Sequence, residues 1–412
     1  MGYFTLFPNA KFTYDEIGGS IIDLLNFERI NYNCEEKDIL LNILDKDIDD
    51  ITKLDAKTKK LVEYIIENGY GYIYDNKVYN DIHRDKRDTE IRGLAEEPPH
   101  FSKIYLEITN QCDMNCSYCT SNIYVGYACN SCIKWRTGNR GNNFKFDYKK
   151  IISRICELWV DEIVISGGNP LLNKDKLTEY ITLIRSKLSD VKISVYSNGC
   201  GLDDELMHLF LDNDITLNFI VLGYDNESYK KITGKDDQFG KVLRNIEKCL
   251  EGNVDCCITL LGDQNTIDQG KKMILEFDCP VSCVTDIFSS AYRLSEKNKF
   301  MERKQKVSSN YWENQKFNSC LNQKIAITVN GLVKPCPMID DILLDLNNDS
   351  FDKLFQEMIV DKYWRFTKRD VELCSKCPYK YSCEDCTAIE IAMNAGIIAP
   401  TLICDRFEKE FM

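Results

Sequence analysis

QCDMNCSYCT, residues 111–120, holds three cysteines in a Cys-x3-Cys-x2-Cys arrangement: Cys112, Cys116 and Cys119. The stretch follows a strand-like run at 104–109 and precedes a loop. A four-iron cluster takes four ligands, usually thiolates, so three cysteines leave one iron open to a small molecule. The alternatives are three ligands of a zinc knuckle, or three buried cysteines that happen to be close. The spacing predicts an iron–sulfur site with a catalytic opening.

The cysteine spacing, with Tyr118 directly before the last cysteine, resembles the signature of the radical S-adenosylmethionine (SAM) enzymes. In that family the open iron binds the amino and carboxylate groups of SAM. The resemblance implies that one electron cleaves SAM to a 5′-deoxyadenosyl radical, which takes hydrogen from the substrate, while the protein holds and shields these groups. Cys112, Cys116 and Cys119 would then be catalytic as well as metal ligands. An electron donor such as flavodoxin or ferredoxin is expected as a partner.

The composition of the 412-residue chain limits its partners. There are 65 acidic and 52 basic residues, which give a formal net charge of -13. Such a surface repels phosphate backbones, so we expect no nucleic-acid partner. Many of the 20 cysteines are clustered at metal-ligand spacings, and the start of the chain has no signal-peptide pattern, which favours the reducing cytoplasm. No apolar run reaches the roughly 18 residues of a membrane span, so no membrane partner is expected.

From residue 103 to about 288, strand-like and helix-like segments alternate. Strands are predicted at 104–109, 162–166, 192–196, 216–222, 256–261 and 282–287, and helices at 148–158, 175–188, 205–211, 240–250 and 267–277. This alternation indicates an α/β fold with a parallel sheet covered by helices. Six units resemble the partial (β/α)6 barrel of the radical SAM family, placed here at 103–290. In such barrels the site lies where the strands end.

Glycines and polar residues follow the second and third predicted strands. The GGNP run at 167–170 resembles the family's Gly-Gly-Glu-Pro motif, in which the backbone approaches SAM closely, and Asn169 stands where the family has Glu. The Ser-Asn pair at 197–198 resembles the ribose-contacting position. The alternative for both runs is a tight turn, for which such dipeptides are common. The resemblance implies these SAM-binding residues: Tyr118, Gly167, Gly168, Asn169, Pro170, Ser197 and Asn198.

A second array of cysteines lies in the predicted C-terminal domain at 300–412. Its spacing resembles the SPASM extension of radical SAM enzymes, whose seven cysteines hold two auxiliary [4Fe–4S] clusters, so that three clusters are implied in all. A zinc ribbon would explain only the four central cysteines. Carried over from the family, the outer cluster is held by Cys374, Cys377, Cys383 and Cys404, and the inner one by Cys320, Cys336 and Cys386.

The inner cluster of this assignment has only three protein thiolates, because residues 321–335 contain no cysteine. An iron left open near the substrate could hold a peptide cysteine as its thiolate while a carbon radical attacks the sulfur. We therefore expect formation of a thioether crosslink. Cys129 and Cys132 form a further Cys-x2-Cys after the motif. For this pair, a zinc or extra cluster site, a redox dithiol and two unpaired loop cysteines are all open.

Residues 1–83 are predicted to form a separate module, followed by a charged linker at 84–102. Short strands at 3–6, 20–25 and 29–32, helices at 36–44 and 56–68 and a hairpin at 70–79 are the parts of a winged-helix-like fold. Similar modules in radical SAM peptide maturases bind the leader of a precursor peptide as an added strand. The alternative is an extension that packs on the barrel.

Together these patterns resemble the radical SAM/SPASM peptide maturases. The resemblance implies an oxidoreductase-type enzyme that modifies a ribosomally synthesised precursor peptide. One rival is a different radical peptide modification, such as carbon–carbon crosslinking, epimerisation or formylglycine-type oxidation. The other rival is a non-catalytic iron–sulfur protein that binds a peptide or transfers electrons, which would have no use for SAM-contacting segments.

Overall fold

Three sheets carry the fold in the computed structural model of the chain: one of nine strands and two antiparallel sheets of three and four strands. Of the helices in the described part of the chain, none is long and apolar enough to cross a membrane. Most of the predicted linker, up to residue 99, lies outside the described residues. These are 2–44, 47–48, 54–78, 100–120, 129, 132, 135, 148–274, 276–285, 304–307, 310–356, 360–383, 386–393 and 404.

Two antiparallel sheets and two helices form the N-terminal module. Its strands are β1 (Gly2–Leu6), β2 (Ala10–Tyr14), β3 (Gly18–Asp23), β4 (Glu28–Asn33), β5 (Asp47–Ile48) and β6 (Gly71–Tyr74), and its helices are α1 (Cys34–Ile43) and α2 (Ala56–Glu67). Strand β1 lies between β5 and β6, while β2, β3 and β4 pair consecutively. Asn33 and Asp55 start the two helices by accepting backbone hydrogen bonds, which satisfies donors that a helix leaves open.

The sequence predicted most elements of this module but missed strands β2 and β5 and gave the last strand a different partner. Strand β2 was not predicted, because only Ala10 of its five residues is fully buried and the hydrophobic alternation is weak. The hairpin at 70–79 was predicted around residues 75–76. Strand β6 instead pairs with β1, with Tyr3 opposite Tyr74. Residues 75–78 form no strand, and residue 79 lies outside the described part.

The core is a run of six parallel strands, which confirms the predicted α/β fold. The strands, adjacent in chain order, are β7 (His100–Glu107), β8 (Trp159–Ser166), β9 (Lys192–Ser197), β10 (Ile215–Leu222), β11 (Cys256–Gly262) and β12 (Val281–Thr285). Strand β10 is almost wholly buried, as expected of a parallel strand covered on both faces. The helices are α3 (Ser117–Thr120), α4 (Tyr148–Ile155), α5 (Lys174–Lys187), α6 (Asp204–Asp212), α7 (Asn226–Thr233), α8 (Phe239–Glu251) and α9 (Gln264–Ile274).

The C-terminal segment extends the same sheet on the free side of β7. Its strands are β13 (Lys304–Lys306), β14 (Lys324–Ile327), β15 (Leu332–Lys334) and β16 (Leu344–Asp345), and its helices are α10 (Asp352–Gln356), α11 (Asp361–Trp364), α12 (Glu372–Ser375) and α13 (Thr387–Met393). Strand β14 pairs with β7 in parallel, and β15 and β16 follow in antiparallel pairs. Strand β13 instead pairs with β4, so the four-stranded N-terminal sheet takes an edge strand from beyond the core.

Arg29, on β4, joins the N-terminal module to the C-terminal segment. Its side chain is buried, donates a 2.8 Å hydrogen bond to the Ser382 hydroxyl and lies 4.5 Å from the centre of the Tyr379 ring. Nearby, Ile22 of β3 packs with Tyr311 in a small apolar cluster. The module therefore packs on the C-terminal segment, whereas the alternative considered from sequence was packing on the barrel.

Arg29→Ala should lower the free energy of unfolding by about 3 kcal/mol, because it removes a desolvated cation–aromatic contact and a charge-assisted hydrogen bond. Denaturant unfolding of the full chain, followed by circular dichroism, measures the loss. Arg365→Ala is the matched control, since Arg365 is half-exposed and forms an i,i+4 ion pair with Asp361. The control should change stability by less than about 1 kcal/mol. A loss for Arg29→Ala no larger than that of the control would contradict the proposed docking contact.

Candidate functional site

The three-cysteine motif lies just beyond the end of β7, at the edge of the sheet where parallel strands place functional groups. Cys116 is buried, whereas Cys112 and Cys119 are half-buried. The Cys119 N–H donates to the Cys116 carbonyl at 3.0 Å as α3 begins. The Met114 N–H lies 3.4 Å from the Cys112 sulfur, and a backbone donor of this kind favours a thiolate. The Tyr118 side chain lies outside the described part.

Asn169 links the ends of β8 and β9 to the motif. It is fully buried, and its Nδ2 donates to Asp113 Oδ1 at 3.0 Å and to the Cys200 carbonyl at 2.9 Å. Its Oδ1 accepts a 2.8 Å hydrogen bond from the Ser197 hydroxyl, and its backbone N–H donates to the Gln111 carbonyl at 2.7 Å. An amide both donates and accepts, so Asn169 can satisfy all these partners at once. A carboxylate could not donate to Asp113.

Asn198 and Gly168 complete this network around the motif. Asn198 Nδ2 donates to Asp113 Oδ1 at 3.0 Å and lies 3.8 Å from the Cys112 sulfur. Gly168 has a positive φ of +54°, and a Cβ there would lie 2.2 Å from the Gln111 carbonyl oxygen, so only glycine fits. Pro170 begins the 3-10 turn Pro170–Asn173. The structure therefore brings the predicted GGNP and Ser-Asn runs together beside Cys112.

An open cleft with room for about 360 Å³ adjoins this network. A volume of this order accommodates a nucleoside-sized ligand. One carboxylate and three cations contribute to its lining, which suits a ligand that carries both charges, as SAM does. These residues are Asp113, Lys241, Arg244 and Lys248.

Glu107, the last residue of β7, is a buried acid that the sequence reasoning missed. Its Oε2 accepts a 3.0 Å hydrogen bond from the Val329 N–H, and its Oε1 is buried with no hydrogen-bond partner among the described residues. Burial raises the pKa of Glu107 to about 7, against the Val329 bond and the charge of Lys334. A Cβ on Gly167 would lie 2.4 Å from Glu107 Cγ, which explains the first glycine of the GGNP run. An acid inside the apolar run IYLEIT was the available signal.

Cys374, Cys377 and Cys404 are brought together in the C-terminal segment. Burial, with the charges of Cys404 and Cys374, raises the pKa of the Cys377 thiol to about 12. Cys383 and Cys377 both lie near the Arg29 guanidinium. The four cysteines predicted for the outer cluster thus share one region, beside a buried cation.

Cys320, Cys336 and Cys386 also come together, in one packed cluster. Cys129 lies beside them, and each of these four thiols interacts electrostatically with the other three. Burial, with the charges of Cys320 and Cys129, raises the pKa of Cys336 to about 12. Burial and Cys320 likewise raise the pKa of Cys129 to about 11. The sequence assigned three thiols to the inner site, and Cys129, which follows the motif in the chain, is a fourth thiol beside them.

The arrangement of these thiols is relevant to the kind of metal centre that they could bind. Within the described ranges, no three His, Cys, Asp or Glu side chains converge tightly enough to hold a single metal ion. A zinc tetrahedron requires such convergence, with Zn–S distances of about 2.3 Å. An iron–sulfur cube is larger than one ion and holds its thiolates farther apart. Cys404 lies with Cys374 and Cys377, and a zinc ribbon of the four central cysteines would leave Cys404 unused.

Residues 106–277 match the family model of the Radical SAM superfamily. The chain contains a radical SAM domain. This family implies a [4Fe–4S] cluster, bound SAM and an enzyme that cleaves SAM reductively. The matched residues start in β7, include the three-cysteine motif and reach the end of α9, so they cover most of the core.

Two kinds of protein are similar to this chain. A probable GTP 3',8-cyclase from Methanococcus aeolicus is 29% identical over 319 residues, 67% of this chain and 97% of that protein. Among solved structures, Streptococcus suis SuiB bound to precursor peptide SuiA has a TM-score of 0.53 and 14% identity, and covers 98% of this chain and 100% of that one. Native anSMEcpe with bound AdoMet and Kp18Cys peptide has a TM-score of 0.54 and 16% identity, covering 75% and 96%. At these identities the structures show a shared fold.

Asn169→Ala should lower the free energy of unfolding by about 3 kcal/mol, because it strips buried hydrogen-bond partners from Asp113 and Ser197. It should also weaken SAM binding, since the loop of Cys112 loses its support. Denaturant unfolding and equilibrium dialysis with SAM measure the two effects. Asn173→Ala is the control, because Asn173 makes no side-chain capping bond four residues away. Equal stability and SAM affinity in both variants would contradict the role of Asn169.

Glu107→Gln should change how stability depends on pH. The pKa of Glu107 in the folded protein is about 7, above the ordinary carboxyl value, so its stabilising contribution is full at low pH and is lost as pH rises through about 7. Relative to the native chain, the variant should therefore gain about 2 kcal/mol between pH 5 and pH 8. Denaturant unfolding of the metal-free protein at both pH values measures this gain.

Glu162→Gln provides the control for this experiment. Burial raises the pKa of Glu162, but the Lys103 and Ser194 contacts outweigh it, and the folded pKa is lowered. The contribution of Glu162 is present above the unfolded value and is lost only in stronger acid. Its variant should therefore differ from the native chain equally at pH 5 and pH 8. The same pH-independent difference for Glu107→Gln would contradict a raised pKa of Glu107.

Proposed function

We propose that this chain is a radical SAM enzyme that modifies a ribosomally synthesised precursor peptide in the cytoplasm. The observation that carries the proposal is the fold likeness to SuiB bound to its precursor peptide, which extends over 98% of this chain and includes the N-terminal module. The similarity to the probable GTP 3',8-cyclase of Methanococcus aeolicus covers 67% of the chain. The rest of the chain, and the N-terminal module in particular, would have a role in binding a peptide substrate.

At the radical SAM site, Cys112, Cys116 and Cys119 hold the catalytic cluster in this proposal. A [4Fe–4S] cluster held by these cysteines, with one open iron, would supply the electron that cleaves bound SAM. The chain itself positions the ligand: Asn169 and Asn198 fix the loop that carries Cys112. The remaining contacts come from the backbone and side chains around the cleft. The proposed SAM-binding residues are Tyr118, Gly167, Gly168, Asn169, Pro170, Ser197 and Asn198.

The C-terminal segment and the N-terminal module have separate roles in this proposal. The two thiol groups hold two auxiliary [4Fe–4S] clusters, the outer at Cys374, Cys377, Cys383 and Cys404 and the inner around Cys320, Cys336 and Cys386. Strands β2 and β6 lie at the edges of their sheets as described, and an extended leader peptide binds such an edge by adding a strand. Flavodoxin or ferredoxin delivers the electrons.

Thioether formation from a substrate cysteine is the product that the sequence predicted. That prediction depended on an inner cluster with three protein thiolates. The proximity of Cys129 to the other three thiols supports an inner cluster with four protein thiolates, which would lack that opening. The proposal is therefore a radical modification at a peptide carbon. Besides thioether formation, the reactions to be distinguished are carbon–carbon crosslinking, epimerisation and formylglycine-type oxidation.

Nucleotide cyclisation is the second candidate function. The relative named as a probable GTP 3',8-cyclase aligns over 97% of its own length. The cleft beside Asp113 also carries Lys241, Arg244 and Lys248, cations that a triphosphate would contact. The experiment on substrates below separates this function from peptide modification.

Anaerobic reconstitution should yield about twelve iron atoms per chain, as three four-iron clusters require. The Cys112→Ala, Cys116→Ala, Cys119→Ala variant should retain about eight iron atoms and lose dithionite-driven SAM cleavage, because only the catalytic cluster is removed. Iron, sulfide and zinc analysis and chromatography of the SAM products measure these changes. About four iron atoms together with tightly bound zinc in the native chain would contradict the auxiliary clusters.

The substrate is tested by offering GTP and short precursor peptides encoded beside this chain to the reduced, SAM-loaded enzyme. Mass spectrometry should show a modified peptide, with GTP unchanged. Peptides in which every cysteine is substituted test the product: persistence of the modification excludes a thioether, whereas its loss supports one. Conversion of GTP without conversion of any peptide would replace peptide modification by the second candidate function.

A further inference from the structure

We propose that Cys129, which follows the three-cysteine motif in the chain, is the fourth thiolate of the inner auxiliary cluster, together with Cys320, Cys336 and Cys386. The inference deepens the proposed function and rests on the presence of that cluster. It makes the inner cluster fully ligated by protein.

The grouping of the four thiols is complete. Cys129 has Cys320 as a neighbour, and Cys336 has both Cys320 and Cys129. Cys386 has Cys320, Cys129 and Cys336 as neighbours. All six pairs among the four thiols are therefore close enough to interact electrostatically. A ligand set for a cube needs this property, because each thiolate binds one corner of the same cluster.

Tyr105 connects Cys129 to the sheet beside the other three thiols. It lies on β7, is 4% exposed, and forms a side-chain hydrogen bond with Cys129. Cys320 and Cys336 are also among its neighbours. Tyr105 is opposite Ala326 on β14, a strand that starts four residues after Cys320. The parallel pairing of β7 and β14 thus explains why residues so distant in sequence meet.

Two positively charged side chains lie close to the proposed fourth ligand. Lys324 and Lys103 lie near Cys129. Lys103 and Lys324 are opposite each other in the register of β7 and β14. Two positive charges at this place would offset the negative charge that four thiolates bring to a cluster.

Full ligation determines what the inner cluster can do. With four protein thiolates no iron is open to a substrate sulfur, and the cluster can accept or pass electrons but not hold a peptide thiolate. The electron that leaves the substrate when a new bond or double bond forms could then pass to this cluster. Full ligation therefore favours a peptide modification in which no substrate thiolate binds iron.

The test uses the full chain with Cys112, Cys116 and Cys119 replaced by alanine, so that only auxiliary clusters remain. Cys129→Ala is added to this background, and Cys132→Ala, in the same loop, is the matched control. Iron content and electron paramagnetic resonance of the reduced protein are measured before and after addition of β-mercaptoethanol. Cys129→Ser is a second variant, in which a serine oxygen can replace the thiolate.

If Cys129 is a ligand, Cys129→Ala reduces iron from about eight to about four atoms, or keeps the iron with a spectrum that β-mercaptoethanol shifts. Cys129→Ser then keeps iron with a shifted spectrum, and the control is unchanged. Iron and spectra equal to the control in both variants, insensitive to the added thiol, would overturn the assignment. A background protein with no auxiliary iron would instead overturn the auxiliary clusters of the proposed function.

Discussion

The pairing of β7 with a parallel strand on each side is the constraint on which the rest of the structure depends. Ile104 lies opposite Ile163 of β8 on one side and Ile325 of β14 on the other, and all three side chains are fully buried. The three-cysteine motif follows β7, and Cys320 precedes β14. The double pairing therefore fixes the position of the C-terminal thiols relative to the motif.

Buried polar contacts then set the geometry at the ends of these strands. Glu107 joins β7 to Val329 just beyond β14, and Asn169 joins the end of β8 to Asp113 in the motif. A buried polar group destabilises the fold unless it is hydrogen-bonded, so each contact permits few alternative arrangements. The unpartnered Oε1 of Glu107 is the exception among the described residues of this network.

The sequence predicted the parts of the fold whose signals are local. All six core strands were found within a few residues, because buried parallel strands form continuous apolar runs. The GGNP run was recognised because its glycines permit backbone that other residues cannot adopt. Helix α7 was missed, since only Tyr229 and Thr233 are buried on it.

Features that depend on distant partners could not be predicted in the same way. Strands β13 to β16 have two to four residues each, too few to show a period, and their partners lie far away in sequence. Cys129 follows the same rule: its spacing from Cys132 suggested a pair, whereas its neighbours are set by β14 beside β7. The hydrogen-bonding role of Asn169 likewise needed knowledge of Asp113 and Ser197 in space. Sequence motifs thus gave candidate ligands, and the sheet decides how they are grouped.

Arg29 connects the four-stranded N-terminal sheet with the outer thiols. Burial lowers the pKa of Arg29, while Tyr379, Cys383 and Cys377 raise it. Because arginine keeps its charge in proteins, a buried guanidinium beside these cysteines favours thiolates over thiols. Arg29 lies on β4, in the same four-stranded sheet as the edge strand β2. Under the proposed function, a peptide strand added at β2 would therefore be held at a fixed distance from the outer thiols, and the N-terminal module would belong to the metal-binding region as well as dock the peptide.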